Sequence, residues 1–118
     1  MPANEQPRTR VEVDEDGTVV ASAEVDLPEG SPAARAALHV EPGHRAPGTS
    51  SRLVDAVLDT TEVREAGKVV AAVPKGDAEA IEHVHARIPS ATTRLAGSSV
   101  IVEADVVEAD VVEAPPQE

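Results

Sequence analysis

At 118 residues the chain has room for one domain, and its 10 Lys+Arg against 22 Asp+Glu leave a net charge of −12. There is no Cys, Trp, Tyr or Phe, which excludes disulfides, thiolate metal sites, aromatic stacking platforms and a tyrosine general acid. The acidity argues against a nucleic-acid ligand, which calls for a basic face.

Leu, Ile and Val number 5, 3 and 19, and Ala adds 20, so the core has to be assembled mainly from Val and Ala. Such a core is thin, and its stability is expected to be modest. The charge is unevenly spread. Residues 11–30 carry seven acids and no base, residues 103–118 carry six acids and no base, and residues 31–99 carry eight of each. The neutral middle is therefore the part able to accept an anionic ligand. No stretch approaches the ~20 apolar residues of a membrane span, and the N-terminus has no apolar signal region, so a cytoplasmic protein with no membrane partner is expected.

Residues 1–8 read as a flexible terminus, 9–106 as a single domain, and 107–118 as a flexible acidic tail. The tail lies within a short repeat, Glu103-Ala104-Asp105-Val106-Val107 followed by Glu108-Ala109-Asp110-Val111-Val112. Val11 and Val13 alternate with acids, Asp14-Glu15-Asp16-Gly17 signals a turn, and Val19, Ala21, Ala23, Val25 and Leu27 recur at period two. That pattern predicts a β-hairpin. Ala36–Val40 predicts a short strand, followed by a Gly- and Pro-rich loop. Arg52–Leu58 predicts a helix from its Leu53/Val57 and Val54/Leu58 pairs, with Thr49, Ser50 and Ser51 as candidate N-caps and Gly67 as a helix stop. Lys68–Pro74 reads as a buried strand, Asp77 as the N-cap of a helix over 78–88, and Ser98–Ala104 as a last strand. The order implies an α/β fold, a small mixed β-sheet of about five strands flanked by two or three helices.

One segment points to chemistry. Where the strand ending at Val40 passes through Arg45-Ala46-Pro47-Gly48-Thr49-Ser50 into a helix, unpaired first-turn amides and the positive end of the helix dipole suit a pyrophosphate. Arg45 and Arg52 could add positive charge. The segment resembles the acetyl-CoA loop of the GNAT N-acetyltransferase family, Gln/Arg-x-x-Gly-x-Gly/Ala. The strand Val69–Pro74 and the following Asp77-Ala78-Glu79-Ala80-Ile81, with Asp77 for the usual Asn, continue the likeness over about residues 10–105. Ser50 stands where the family has a small Gly/Ala, and no tyrosine is present.

The resemblance implies a GNAT-like core lacking the N-terminal strand–helix pair, and acetyl-CoA or CoA as ligand. It implies pyrophosphate contacts from the amides of Ala46, Gly48, Thr49 and Ser50 beside Arg45 and Asp77, and pantetheine pairing with the backbone of His39 and Val40. Two functions remain open. One is an acyl-CoA-binding protein able to transfer acetyl to an amine acceptor, for which no catalytic residue is assigned. The other is a non-catalytic relative acting on a protein partner. A thin core and edge strands also make a homodimer an expectation.

Other constellations read more simply. Glu79 and His83 are spaced i,i+4 and predict a surface pair. His83 and His85, and His39 with His44, lack metal-ligand spacing, so no metal is expected. Glu12, Asp14 and Asp16 read as a solvated strand face and turn.

Overall fold

The computed structural model describes residues 8–41 and 46–106. Arg45, His44, the terminus up to residue 7 and the tail 107–118 lie outside the described residues.

The first described elements form a hairpin, β1 (Arg8–Glu15) and β2 (Thr18–Asp26). Its two-residue turn is Asp16-Gly17, both with positive φ (55° and 83°), as a tight hairpin with native twist requires. Val13 pairs with Ala21 but Asp14 pairs with Val19, so Val20 is an extra residue on β2. This bulge lets the adjacent Val20 and Ala21 both be buried, while Val19 faces solvent. β3 (Ala34–Val40) then pairs antiparallel with β2, and it alternates strictly between buried and exposed residues.

After β3 come α1 (Thr49–Leu58) and α2 (Thr61–Ala66). Thr60 separates them. Its hydroxyl donates to the Val57 carbonyl and accepts from the Val63 N–H, closing one helix and opening the next. Gly67 ends α2 in the left-handed conformation at φ 75°. β4 (Lys68–Pro74) returns parallel to β3, α3 (Ala78–Arg87) follows, and β5 (Thr92–Ala96) and β6 (Ser99–Asp105) are the last described strands, paired as a hairpin. The sheet is mixed, in the order β1-β2-β3-β4-β6-β5.

Among the described residues it has six strands rather than about five. The additional one, β5, is exposed at every residue and, among the described residues, pairs with β6 alone. A strand with no buried face leaves no apolar alternation to read.

The core lies between the helices and one face of the sheet. Leu53, Val57 and Leu58 of α1, Val63 of α2, and Val84 and Ile88 at α3 meet Val25, Leu38, Val73 and Val102 of the strands. It is the Val- and Ala-rich core that the composition demands. The opposite face of the first three strands carries Arg10, Glu12, Glu24, Arg35 and His39, with ion pairs from Arg10 to Glu12 and Glu24. No helix among the described residues is long and apolar enough to cross a membrane.

Candidate functional site

The site forms where the parallel strands β3 and β4 both end. Ligand crevices of α/β sheets open at the carboxyl ends of such strands. Pairing between the two runs from Ala34 opposite Val69 to Ala37 opposite Ala72, then stops, although β3 continues to Val40. The cause is chemical. The Glu41 N–H donates to the Val20 carbonyl on β2, so odd residues of β3 turn their backbone groups to β2 and even residues turn theirs to β4. The next rung would join the Leu38 carbonyl to the amide of residue 74. That residue is Pro74, which has no N–H. The ladder ends, and the Leu38 carbonyl with the N–H and carbonyl of Val40 point into the gap. Leu38 and Val73, one on each side of it, belong to the buried core beneath, with Val57 and Val84.

This register corrects one expectation. His39 pairs opposite Ser22, and its backbone groups are directed to β2 rather than into the gap. Its side chain is exposed and lies 3.0 Å from the Glu41 carboxylate. The backbone groups of the neighbouring Val40 are turned to the other side, into the gap.

Two helix N-termini, of α1 and α3, stand at the mouth of the gap. The N-cap of α1 is Gly48, at φ 92°, not one of the three hydroxyl residues that follow. A Cβ at Gly48 would meet nothing within 4 Å, so the space above this turn is open. The Thr49 N–H turns back to the Ala46 carbonyl. The hydroxyls expected as caps serve other contacts. Thr49 is buried with its hydroxyl 3.4 Å from Glu15, Ser50 donates to Asp77 at 2.8 Å, and Ser51 donates to Glu79 at 2.9 Å.

Asp77 is 3% exposed. One of its oxygens caps α3 by accepting from the Ala80 N–H, and the other accepts from Ser50. Glu79 completes the exchange in the opposite direction. Its Oε2 accepts from the Gly48 N–H and the Ser51 N–H, both at 3.0 Å, as well as from the Ser51 hydroxyl. Each helix thus holds the other's N-terminus by a carboxylate or a hydroxyl. The Ser51 N–H above all holds the Glu79 carboxyl below its ordinary range. Desolvation opposes that shift, and the Ser51 hydroxyl, the Gly48 N–H and nearby His83 reinforce it.

The predicted Glu79–His83 pair does not form. His83 Nε2 lies 2.8 Å from Asp55 of α1, and Arg87 reaches the same oxygen at 2.6 Å. α1 and α3 pack directly on each other, which brings Asp55 nearer His83 than its neighbour on α3 is. Partial burial works against the charge on Asp55. The hydrogen bonds from His83 and Arg87 outweigh it and lower the carboxyl's pKa. Arg52, on the first turn of α1, is paired with Glu15 at 3.3 Å and so already has an acidic partner. Among the described residues, no group of three or more His, Asp or Glu side chains is arranged to hold a metal ion.

Sequence reasoning missed Pro74 as the end of the ladder and Glu79 as the group at α1. The first was readable as a proline closing a buried strand. The second had no local signal, because Glu79 is 31 residues from Gly48.

The six-stranded sheet and its helices form a GNAT-like α/β fold. The GNAT domain of S. lividans PAT is similar in structure, with a TM-score of 0.58 and 21% identity over 83% of this chain and 60% of that one. PaiA N-acetyltransferase from Thermoplasma acidophilum, solved with coenzyme A, gives a TM-score of 0.59 and 12% identity over 83% and 60%. Diaminobutyrate acetyltransferase EctA from Paenibacillus lautus, solved with its substrate and coenzyme A, gives 0.60 and 9% over 83% and 70%. The chain therefore spans 60% of the length of the first two. No protein-family model matches the sequence, and no curated protein does.

Proposed function

We propose that this chain binds an acyl-CoA, acetyl-CoA being the simplest, across the mouth of the β3–β4 gap. The observation that carries the reading is the ladder stopped at Pro74, beyond which the backbone groups of Leu38 and Val40 on the β4 side of β3 have no β4 partner. A pantetheine arm is itself a chain of amides, and it satisfies such groups as an added strand would. The open turn at Gly48 and the N-terminus of α1 suit the pyrophosphate. Similar folds solved with coenzyme A support the ligand class. In this reading Ala46, Gly48, Thr49 and Ser50 form the turn at the phosphates, and Arg45, outside the described residues, precedes them in sequence. Asp77, buried behind Ser50, holds that turn in place. Transfer to an amine acceptor would rest on positioning and on polarisation of the thioester carbonyl by a backbone N–H such as that of Val40, with water carrying the proton away.

Calorimetric titration of acetyl-CoA tests the proposal. A saturable heat is expected in the wild-type protein and its loss in Gly48→Asp, which sets a side chain and a negative charge at a position of positive φ. No heat at millimolar ligand, in wild type and in a variant lacking the Glu79 carboxylate alike, would overturn the reading. The absence of any tyrosine favours a second reading, a non-catalytic module acting on a protein partner. Release of free thiol from acetyl-CoA in the presence of amine acceptors separates the two, since a module that only binds would release none.

A further inference from the structure

We propose that Glu79 is an internal competitor for the phosphate seat, so that an acyl-CoA binds only as this carboxylate is displaced; the inference rests on the acyl-CoA reading above. The seat is not deduced from helix polarity alone, because an anion already sits in it. A single oxygen of Glu79 collects the Gly48 N–H, the Ser51 N–H and the Ser51 hydroxyl at 2.9–3.0 Å. Three convergent donors on one oxygen is the coordination that a phosphate oxygen takes at a helix N-terminus.

The donors come from α1 and the acceptor from α3, so the carboxylate bridges two elements on either side of the gap mouth. Among the described residues, these three contacts on one oxygen are the hydrogen bonds that hold Glu79. The i,i+4 partner that might have drawn it away, His83, is engaged by Asp55. Glu79 is only half-buried and can rotate into solvent when a better anion arrives. Asp77, by contrast, is buried with both oxygens engaged and stays in place during such an exchange. Two ligands for one set of donors cannot both be bound, so the affinity for a phosphate-bearing ligand is lowered by the stability of the internal contact.

The experiment compares acetyl-CoA and S-acetylpantetheine, which lacks the pyrophosphate, on wild type, Glu79→Ala and Glu79→Gln by calorimetry at one ionic strength. The expected result is acetyl-CoA binding at least about tenfold tighter to Glu79→Ala than to wild type, with S-acetylpantetheine unchanged. Glu79→Gln keeps an acceptor for the α1 amides without the charge and is expected to fall between them. It also guards against a poorly folded alanine variant. A merely structural role predicts a lower Tm with equal or weaker acetyl-CoA binding in both variants, and that outcome overturns the proposal while leaving the acyl-CoA reading intact. If neither wild type nor either variant binds acetyl-CoA, the acyl-CoA reading fails and this inference falls with it.

Discussion

Ser50 and Asp77 show how much one residue can fix at the mouth of the cleft. Asp77 carries the α3 cap on one oxygen and the Ser50 hydroxyl on the other while buried. Asp77→Ala removes a cap worth ~1 kcal/mol and orphans a buried hydroxyl at a further cost of about 1–3 kcal/mol. Urea unfolding should show a loss of roughly 2–4 kcal/mol, and a loss under about 0.5 kcal/mol would mean that water replaces both contacts. Ser50→Ala should cost less, because it leaves the cap in place. Half of this unit was legible. An Asp just before a run with helical periodicity reads as a cap, but its second partner lies 27 residues away, and no local rule connects them.

Acid sensitivity belongs to the same scale. Asp55 and Glu79 both have folded-state pKa values lowered from those of the unfolded chain. Their contribution is therefore fully present above the unfolded carboxylate range of about 4. It is lost as the pH falls through that range toward the lowered folded values. Melting curves taken from about pH 5 down to about pH 3 should show a falling Tm. The decline should be shallower in Asp55→Asn, and an unchanged slope would show that the His83 and Arg87 contacts do not favour the ionised form in solution.

Among the elements, β3 and β4 decide whether there is a cleft at all. Pro74→Val supplies the missing N–H to the Leu38 carbonyl and keeps a residue suited to a strand. The ladder should then extend by one rung and narrow the mouth. Hydrogen exchange should show the new amide protected, and acetyl-CoA affinity should fall, since the Leu38 carbonyl is no longer available to a ligand. Protection without loss of affinity would mean that the ligand does not use this edge of β3. The parts of the fold that bury one face announced themselves. β3 alternates residue by residue, and the Leu53/Val57 and Val54/Leu58 pairs mark α1. β5 did not, because its register comes from the Gly97-Ser98 turn and from β6 rather than from any buried face. The direction of the backbone at His39 was equally hidden, since it depends on which neighbour the strand pairs with first.

For the whole molecule, a small Val- and Ala-rich core is set against a large negative charge. The most buried large side chains include only one Leu and one Ile, Leu53 and Ile88, so little apolar area is available to offset self-repulsion from a net charge of −12. The ion pairs that soften it are largely exposed, as with Arg10–Glu12, Arg64–Asp59 and Arg52–Glu15. Pairs of that kind contribute ~0–1 kcal/mol each and are themselves screened by salt. Added salt therefore weakens two opposed effects. The repulsion is the larger, because acids outnumber bases by 22 to 10 and most have no base to pair with. Raising NaCl from about 10 mM to about 0.2 M shortens the screening length from ~30 Å to below ~10 Å, which is less than the span of the domain. Tm should rise over that range and then level off. A fall would mean that the pairs binding β1 to α1 and α1 to α3, Glu15–Arg52 and Asp55–Arg87, outweigh the net charge. In that case the −12 would matter for what approaches the protein rather than for whether it stays folded.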